Sequence, residues 1–230
     1  MSRRAHTFAI AAVSLTVAAP AQAATLVGDQ SCYQENEPVN VQGTGFTPNG
    51  VVNFSRDNQS FGTLQADAVG NVRGAGAAPR ITPALQRAFV LEARDATNPA
   101  IAASINPLAT RFGVTVSPKG GNPARKRRIK ARGFTEGKTL YVHVRRGGKG
   151  KNIKLGKLKK PCGNKSVKKR IFKRGAKNGV YTVQFDTRRT YSRKAFPKVA
   201  YRVTIFTTFR PSLASSSAFG ELGERWVRVR

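Results

Sequence analysis

Two cysteines and two histidines are the side chains of this 230-residue chain best suited to nucleophilic or acid–base chemistry. His6 lies in an apolar leader, which leaves His143 as the one imidazole of the remaining chain. In Leu140-Tyr141-Val142-His143-Val144-Arg145 the alternation sends Leu140, Val142 and Val144 to one face. His143 is therefore expected on the wetter face beside Tyr141 and Arg145, as a solvent-facing histidine rather than a base for Cys32. The acids are scattered with no paired spacing, so neither a metal cage, a cofactor site nor a catalytic residue is assigned. Gly147-Gly148-Lys149-Gly150-Lys151 lacks the spacing of a phosphate-binding loop and reads as the tip of a β-hairpin.

The cysteines carry more information. An exported chain meets an oxidising environment, and an even cysteine count there favours pairing. Cys32 and Cys162 sit in different halves, so a bridge between them would fix one half against the other. Two buried free thiols or an intermolecular bridge are the alternatives.

Charge is the third chemical resource, and it is confined to one half. Ala24 to Ser117 holds six arginines, no lysine and seven acids, a balance of −1. Pro118 to Arg230 holds 17 lysines and 16 arginines against four acids, a balance of +29. The cations come in runs: Arg125, Lys126, Arg127 and Arg128; Arg145 and Arg146; Lys149, Lys151, Lys154, Lys157, Lys159 and Lys160; Lys168, Lys169 and Arg170. Charge also maintains solubility and guards sheet edges. A surplus of +29 exceeds those needs, because self-repulsion of that size opposes the compact state. These residues are the candidates for binding an anionic polymer. Tyr141, Tyr191 and Tyr201 could stack nucleobases, but no nucleic-acid motif accompanies them, and nucleic acid ranks below a cell-surface polymer.

The elements that position these groups are short strands. Arg3 and Arg4, an apolar run from Phe8 to Ala19 and Ala21-Gln22-Ala23 form a signal peptide cleaved after Ala23. No later run is long enough for a membrane helix. The leader implies a secreted protein, with a mature chain of 207 residues. Gly, Pro, Thr and Val punctuate that chain every eight to twelve residues, which points to an all-β fold. Strands are expected at Val39–Val41, Val51–Ser55, Phe61–Ala66, Asn71–Gly74, Ala88–Arg94 and Ala109–Val116. The second half repeats them at Arg128–Arg132, Thr139–Arg146, Lys151–Leu158, Ser166–Lys173, Gly179–Asp186 and Ala200–Thr208.

The halves also echo each other. Gly45-Phe46-Thr47 recurs 88 residues on as Gly133-Phe134-Thr135, and Gly62 finds a counterpart in Gly156. Phe89–Ala93 with Asp95 matches Tyr181–Phe185 with Asp186, and Arg111–Val116 matches Tyr201–Ile205. A period near 90 residues is the size of one sandwich. The domains are set at 24–117 and 118–211, joined by the Pro- and Gly-rich Ser117–Pro123, with a flexible basic tail at 212–230. In that tail Arg225-Trp226-Val227-Arg228-Val229-Arg230 alternates as an added edge strand would.

Val39–Gly50 with its Gly-Phe-Thr-Pro-Asn-Gly turn, followed by Phe61–Val72 with Ala66-Asp67-Ala68-Val69-Gly70, resembles the immunoglobulin-like (IPT/TIG-type) repeats of exported bacterial surface proteins. The match covers most of the first half. The second keeps Gly133-Phe134-Thr135-Glu136-Gly137 but has no Ala-Asp-x-x-Gly hairpin. The resemblance implies tandem immunoglobulin-like sandwiches at a cell surface and no catalytic residues. The expected function is non-enzymatic: a neutral spacer or adhesive module followed by a basic module that holds a wall glycopolymer or acidic polysaccharide. A purely structural spacer is the runner-up, and an extracellular hydrolase or nucleic-acid binder comes behind it.

Overall fold

Alternating apolar residues give each strand one buried face, and two such sets build two separate cores. The computed structural model describes residues 23–207 and 225–229, all of them strand, turn or irregular. The leader and the Ser212–Ala218 segment lie outside the described residues, as do the side chains of the last strand. The first half contains β1 (Thr25–Gly28), β2 (Cys32–Gln34), β3 (Pro38–Thr44), β4 (Val51–Arg56) and β5 (Gln59–Gln65). It continues with β6 (Val72–Ala77), β7 (Gln86–Ala88), β8 (Leu91–Asp95), β9 (Ala102–Ile105) and β10 (Leu108–Thr110). Sheets ordered β1-β3-β6 and β5-β4-β8-β9 enclose Val39, Val41, Phe46, Val52, Phe54, Val72 and Leu91. A small sheet, β2-β10-β7, closes one side, with β2 and β10 parallel.

The second half is made from β11 (Gly113–Ser117), β12 (Arg127–Arg132), β13 (Thr139–Arg146), β14 (Lys149–Lys157) and β15 (Lys165–Lys169). It ends with β16 (Gly179–Asp186), β17 (Val199–Thr207) and β18 (Arg225–Val229). Its sheets run β11-β12-β15 and β14-β13-β16-β17-β18 around Ile129, Leu140, Val142, Phe172, Val183, Phe185 and Ile205. The protein is thus all-β, with tandem immunoglobulin-like sandwiches. The sheet orders match strand for strand, β1-β3-β6 with β11-β12-β15 and β5-β4-β8-β9 with β14-β13-β16-β17. Gly45 and Gly133 both take a positive φ, 82° and 74°, after equivalent strands, a backbone region that favours glycine.

This order corrects parts of the sequence reading. Ala109–Val116 is not one closing strand: it divides into β10, paired in the first half, and β11, which pairs with β12. Val114 of β11 is buried in the second core, so the chain passes between cores at Arg111–Phe112, ahead of Ser117–Pro123. The partner of Tyr201–Ile205 in the repeat is therefore β9. Asp95 shares the core-facing parity of Leu91 and Ala93, whereas Asp186 lies on the opposite face from Phe185. Arg225–Val229 forms β18, antiparallel to β17, the added edge strand that its alternation led us to expect.

Cys32 and Cys162 form a disulfide with Cα atoms 5.2 Å apart, joining β2 to the turn between β14 and β15. The bridge spans 130 residues, and the loss of unfolded-state freedom stabilises the chain by about 5 kcal/mol in the loop-entropy account. Gln34 Nε2 donates to the Gly133 carbonyl at 2.9 Å beside it, and Asn164 Nδ2 donates to Gln86 Oε1 at 2.9 Å.

Candidate anionic-polymer interface

Strand alternation sorts the cations of the second sandwich. On β12, Ile129 and Ala131 enter the core, and Arg128, Lys130 and Arg132 stand on the outer face. On neighbouring β15, Lys168 lies directly opposite Arg128, and Ser166 opposite Lys130. Like charges directly opposed across an antiparallel pair are destabilising, so an anion laid over this face would relieve that repulsion. At one end Lys130, Arg132, Lys159 and Lys165 line a shallow hollow of about 320 Å³. Arg125 and Lys126 are exposed in the turn that leads into β12, and Lys169 and Arg170 are exposed at the end of β15. Lys157, Lys159 and Lys160 extend the positive surface towards the disulfide.

From Pro118 to Thr207 there are 17 lysines and 12 arginines against two acids, Glu136 and Asp186. Among the described residues, none of these cations forms an ion pair with a carboxylate. Three of the six arginines of the first sandwich do: Arg87 with Asp57 at 3.0 Å, Arg94 with Glu92, and Arg111 with Glu35 at 3.4 Å.

Several candidates have other employment. Arg127 is 1% exposed and cannot meet a polymer, which corrects its assignment to the interface. It occupies an inward position of β12, and its guanidinium reaches back to close the turn before that strand. Nη1 donates to the Pro123 and Arg125 carbonyls at 3.2 and 3.3 Å, and Nη2 to those of Gly121 and Asn122 at 3.4 and 3.3 Å. Burial, reinforced by the nearby Arg125 charge, lowers its pKa. Lys151 is half-buried, and burial again lowers its pKa, with Lys173 adding to the effect. Arg145 stacks on Tyr191, its Cζ 4.6 Å from the ring centre, and Arg146 lies 5.8 Å from that of Tyr181. Lys149 lies at the β13–β14 hairpin, as expected.

His143 also departs from expectation. It is on the outer face of β13, as the alternation requires, but it is 0% exposed. The segment 187–198 between β16 and β17 folds over it, with Tyr191 ring to ring at 5.9 Å. His143 Nε2 lies 3.0 Å from Asp186 Oδ1, and Nδ1 lies 2.8 Å from Asn152 Oδ1. Arg145 Nη2 donates to the same Asn152 oxygen at 3.1 Å, which fixes the orientation of that amide. Asp186 also accepts from Gln184 Nε2 at 2.6 Å and from the Arg188 amide at 2.8 Å, and Gln184 holds the Ser192 carbonyl at 2.9 Å. The cluster is a buried polar network that ties down the covering segment. Both ring nitrogens of His143 are engaged, and Cys32 lies in the disulfide.

Sequence reasoning missed Lys130 and Arg132, although both follow from the alternation that exposes Arg128. It also missed Asn152 and the covering segment; their only signal is the longer interval between β16 and β17.

No protein family and no curated protein matches the sequence. Solved structures with a related course of the chain include a red sea bream transglutaminase, at 13% identity and a TM-score of 0.31. That alignment covers 74% of this chain and 29% of that one, so this chain spans under a third of the enzyme's length. The fibronectin(III)-like modules of CbhA from Clostridium thermocellum align at 12% identity and a TM-score of 0.26, covering 70% of this chain and 83% of theirs.

Proposed function

We infer that this is an exported, envelope-associated protein whose basic second sandwich holds an anionic polymer of the cell surface, a wall glycopolymer or an acidic polysaccharide. The first sandwich acts as a near-neutral spacer. The observation that carries this reading is the outer face of β12 and β15, where Arg128, Lys130, Arg132 and Lys168 stand together and, among the described residues, have no carboxylate partner. A solubilising surface mixes both signs of charge, whereas this one lacks the negative half. The disulfide is compatible with an oxidising compartment, and among the described residues no helix is long and apolar enough to cross a membrane. The Gly-Phe-Thr-Pro-Asn-Gly turn and its resemblance to the IPT/TIG-type repeats of bacterial surface proteins agree with that setting.

The test is retention of the full-length protein on isolated cell walls and on immobilised heparin as salt is raised. Counterion release predicts that log K falls linearly with log salt, with a slope that grows with the number of anionic groups engaged. Failure to bind at low salt, or binding indifferent to salt, overturns the reading.

A further inference from the structure

The segment 187–198 does more than cover His143. Where it leaves the sheet, its Arg189 and Thr190 stand beside Tyr141 of β13 and Asn152 and Lys154 of β14, enclosing an open hollow of about 560 Å³. That volume falls within the range of small-molecule sites. Its lining is rich in donors. Lys154 and Arg189 bring charged N–H groups, and Thr190 and Tyr141 bring hydroxyls. The oxygen of Asn152 is already taken by His143 and Arg145, which leaves its NH2 group to donate. Among the described residues no carboxylate lines the hollow. The wall contributed by the segment is held in place, since Asp186 accepts from the Arg188 amide and Gln184 from β16 grips the Ser192 carbonyl.

We propose that this hollow is a binding site for one anionic sugar unit, a pyranose ring bearing a phosphate or carboxylate, seated against Tyr141 with its anion held by Lys154 and Arg189. The proposal deepens the polymer reading and rests on it: the β12 face supplies attraction along a chain, and the hollow reads one residue of that chain. The ligand must be rich in acceptors, because the lining offers donors, and negatively charged, because two cations face it. A sugar fits better than a nucleobase. Among the described residues the hollow has one half-buried tyrosine and no second ring to sandwich a base, and its Asn and Thr groups match hydroxyls.

The test titrates the 15N-labelled full-length protein with glucose 6-phosphate, glucuronate, inorganic phosphate and a nucleoside monophosphate at fixed ionic strength. At least one of the two sugars should bind about tenfold tighter than inorganic phosphate or the nucleotide, shifting the amides of Tyr141, Asn152, Lys154, Arg189 and Thr190. Which sugar prevails separates a phosphate-bearing from a carboxylate-bearing polymer. Lys154→Ala and Arg189→Ala, both at exposed positions, should each weaken that binding about tenfold, while Arg73→Ala in the first sandwich leaves it unchanged. No sugar binding, equal affinity for inorganic phosphate, a preference for the nucleotide, or shifts elsewhere overturns the proposal. Those results leave salt-sensitive retention on cell walls standing. Loss of retention with sugar binding intact overturns the wider reading alone.

Discussion

Asn40, Gln42 and Thr44 line the outer face of β3, and 88 residues later Arg128, Lys130 and Arg132 line the outer face of β12. At two of the three inner positions the change is small, with Val41 matched by Ile129 and Gly43 by Ala131. A sheet with one buried face imposes strict demands on every second residue and few on the others. One scaffold therefore carries a near-neutral surface and a strongly basic one. The second difference is the link from β8 to β9 in the first sandwich and from β16 to β17 in the second. The first needs six residues, 96–101, and the second uses twelve, 187–198. Those extra residues bury His143 and form one wall of the hollow. Charge and an added segment, rather than a new fold, distinguish the two halves.

The sharpest way to break this comparison is to exchange the outer faces. In register, Gln42 is the counterpart of Lys130 and Ala75 of Lys168. Removing the pair by Lys130→Ala with Lys168→Ala should lower the salt slope of wall binding by about 2, one for each lysine on an anionic group. Placing the pair on the first sandwich by Gln42→Lys with Ala75→Lys should raise it by about 2 if local charge suffices. A reduced slope from the removal and no gain from the transplant would show that the face works only beside the hollow. No change from the removal would mean that β12 and β15 are not where the polymer lies.

A smaller effect separates buried charge from surface charge. Arg127 stands where the first sandwich has Val39, and Val39 needs nothing beyond apolar neighbours. The guanidinium serves four carbonyls of the turn at 121–125, and charge-assisted hydrogen bonds of this kind are worth more than neutral ones. Arg127→Ala should destabilise the protein to unfolding by about 3 kcal/mol, by orphaning those carbonyls and opening a cavity. The salt slope of the folded variant should match that of the parent. A drop of about 1 in the slope, with stability unchanged, would return Arg127 to the interface.

The fold was largely legible because its rules are local. Two-residue alternation marks the strands, and glycines such as Gly45 and Gly133 mark the turns that need a positive φ. The assignment of β11 was not legible, since a strand pairs equally well by pattern with either sandwich, and only the three-dimensional register chooses. Arg127 defeats composition-based reasoning for a related reason. A charge run reads as surface unless something shows that carbonyls converge on one member, and those carbonyls belong to backbone that carries no sequence signal. His143 was placed on the correct face of β13 but in the wrong environment. The alternation assigns faces and is silent about what a distant segment lays over them, here Tyr191 and its neighbours.

The smallest effect concerns acid. Asp95 is buried on the core side of β8 and accepts from the Thr47 amide at 2.9 Å, and from those of Thr97 and Asn98 at 2.8 and 3.0 Å. The hydrogen bonding with Thr47, then that from the Asn98 and Thr97 amides, outweighs burial and lowers its pKa from 3.8 to about 2. A carboxylate depressed in the folded state contributes stability that is fully present above its unfolded value and is lost as pH falls through the folded one. The contribution is about 2 kcal/mol at neutral pH and should disappear between roughly pH 4 and pH 2. Asp186 occupies the opposite face of its sheet, with His143 and Gln184 as partners. Asp95→Asn should therefore speed hydrogen exchange of β4 and β8 amides at neutral pH, leave β13 and β16 amides unchanged, and have no effect at the acid end. Equal acceleration in both sandwiches would show instead that the disulfide makes them one cooperative unit, and would dissolve the comparison at the level of stability while leaving it intact at the level of charge.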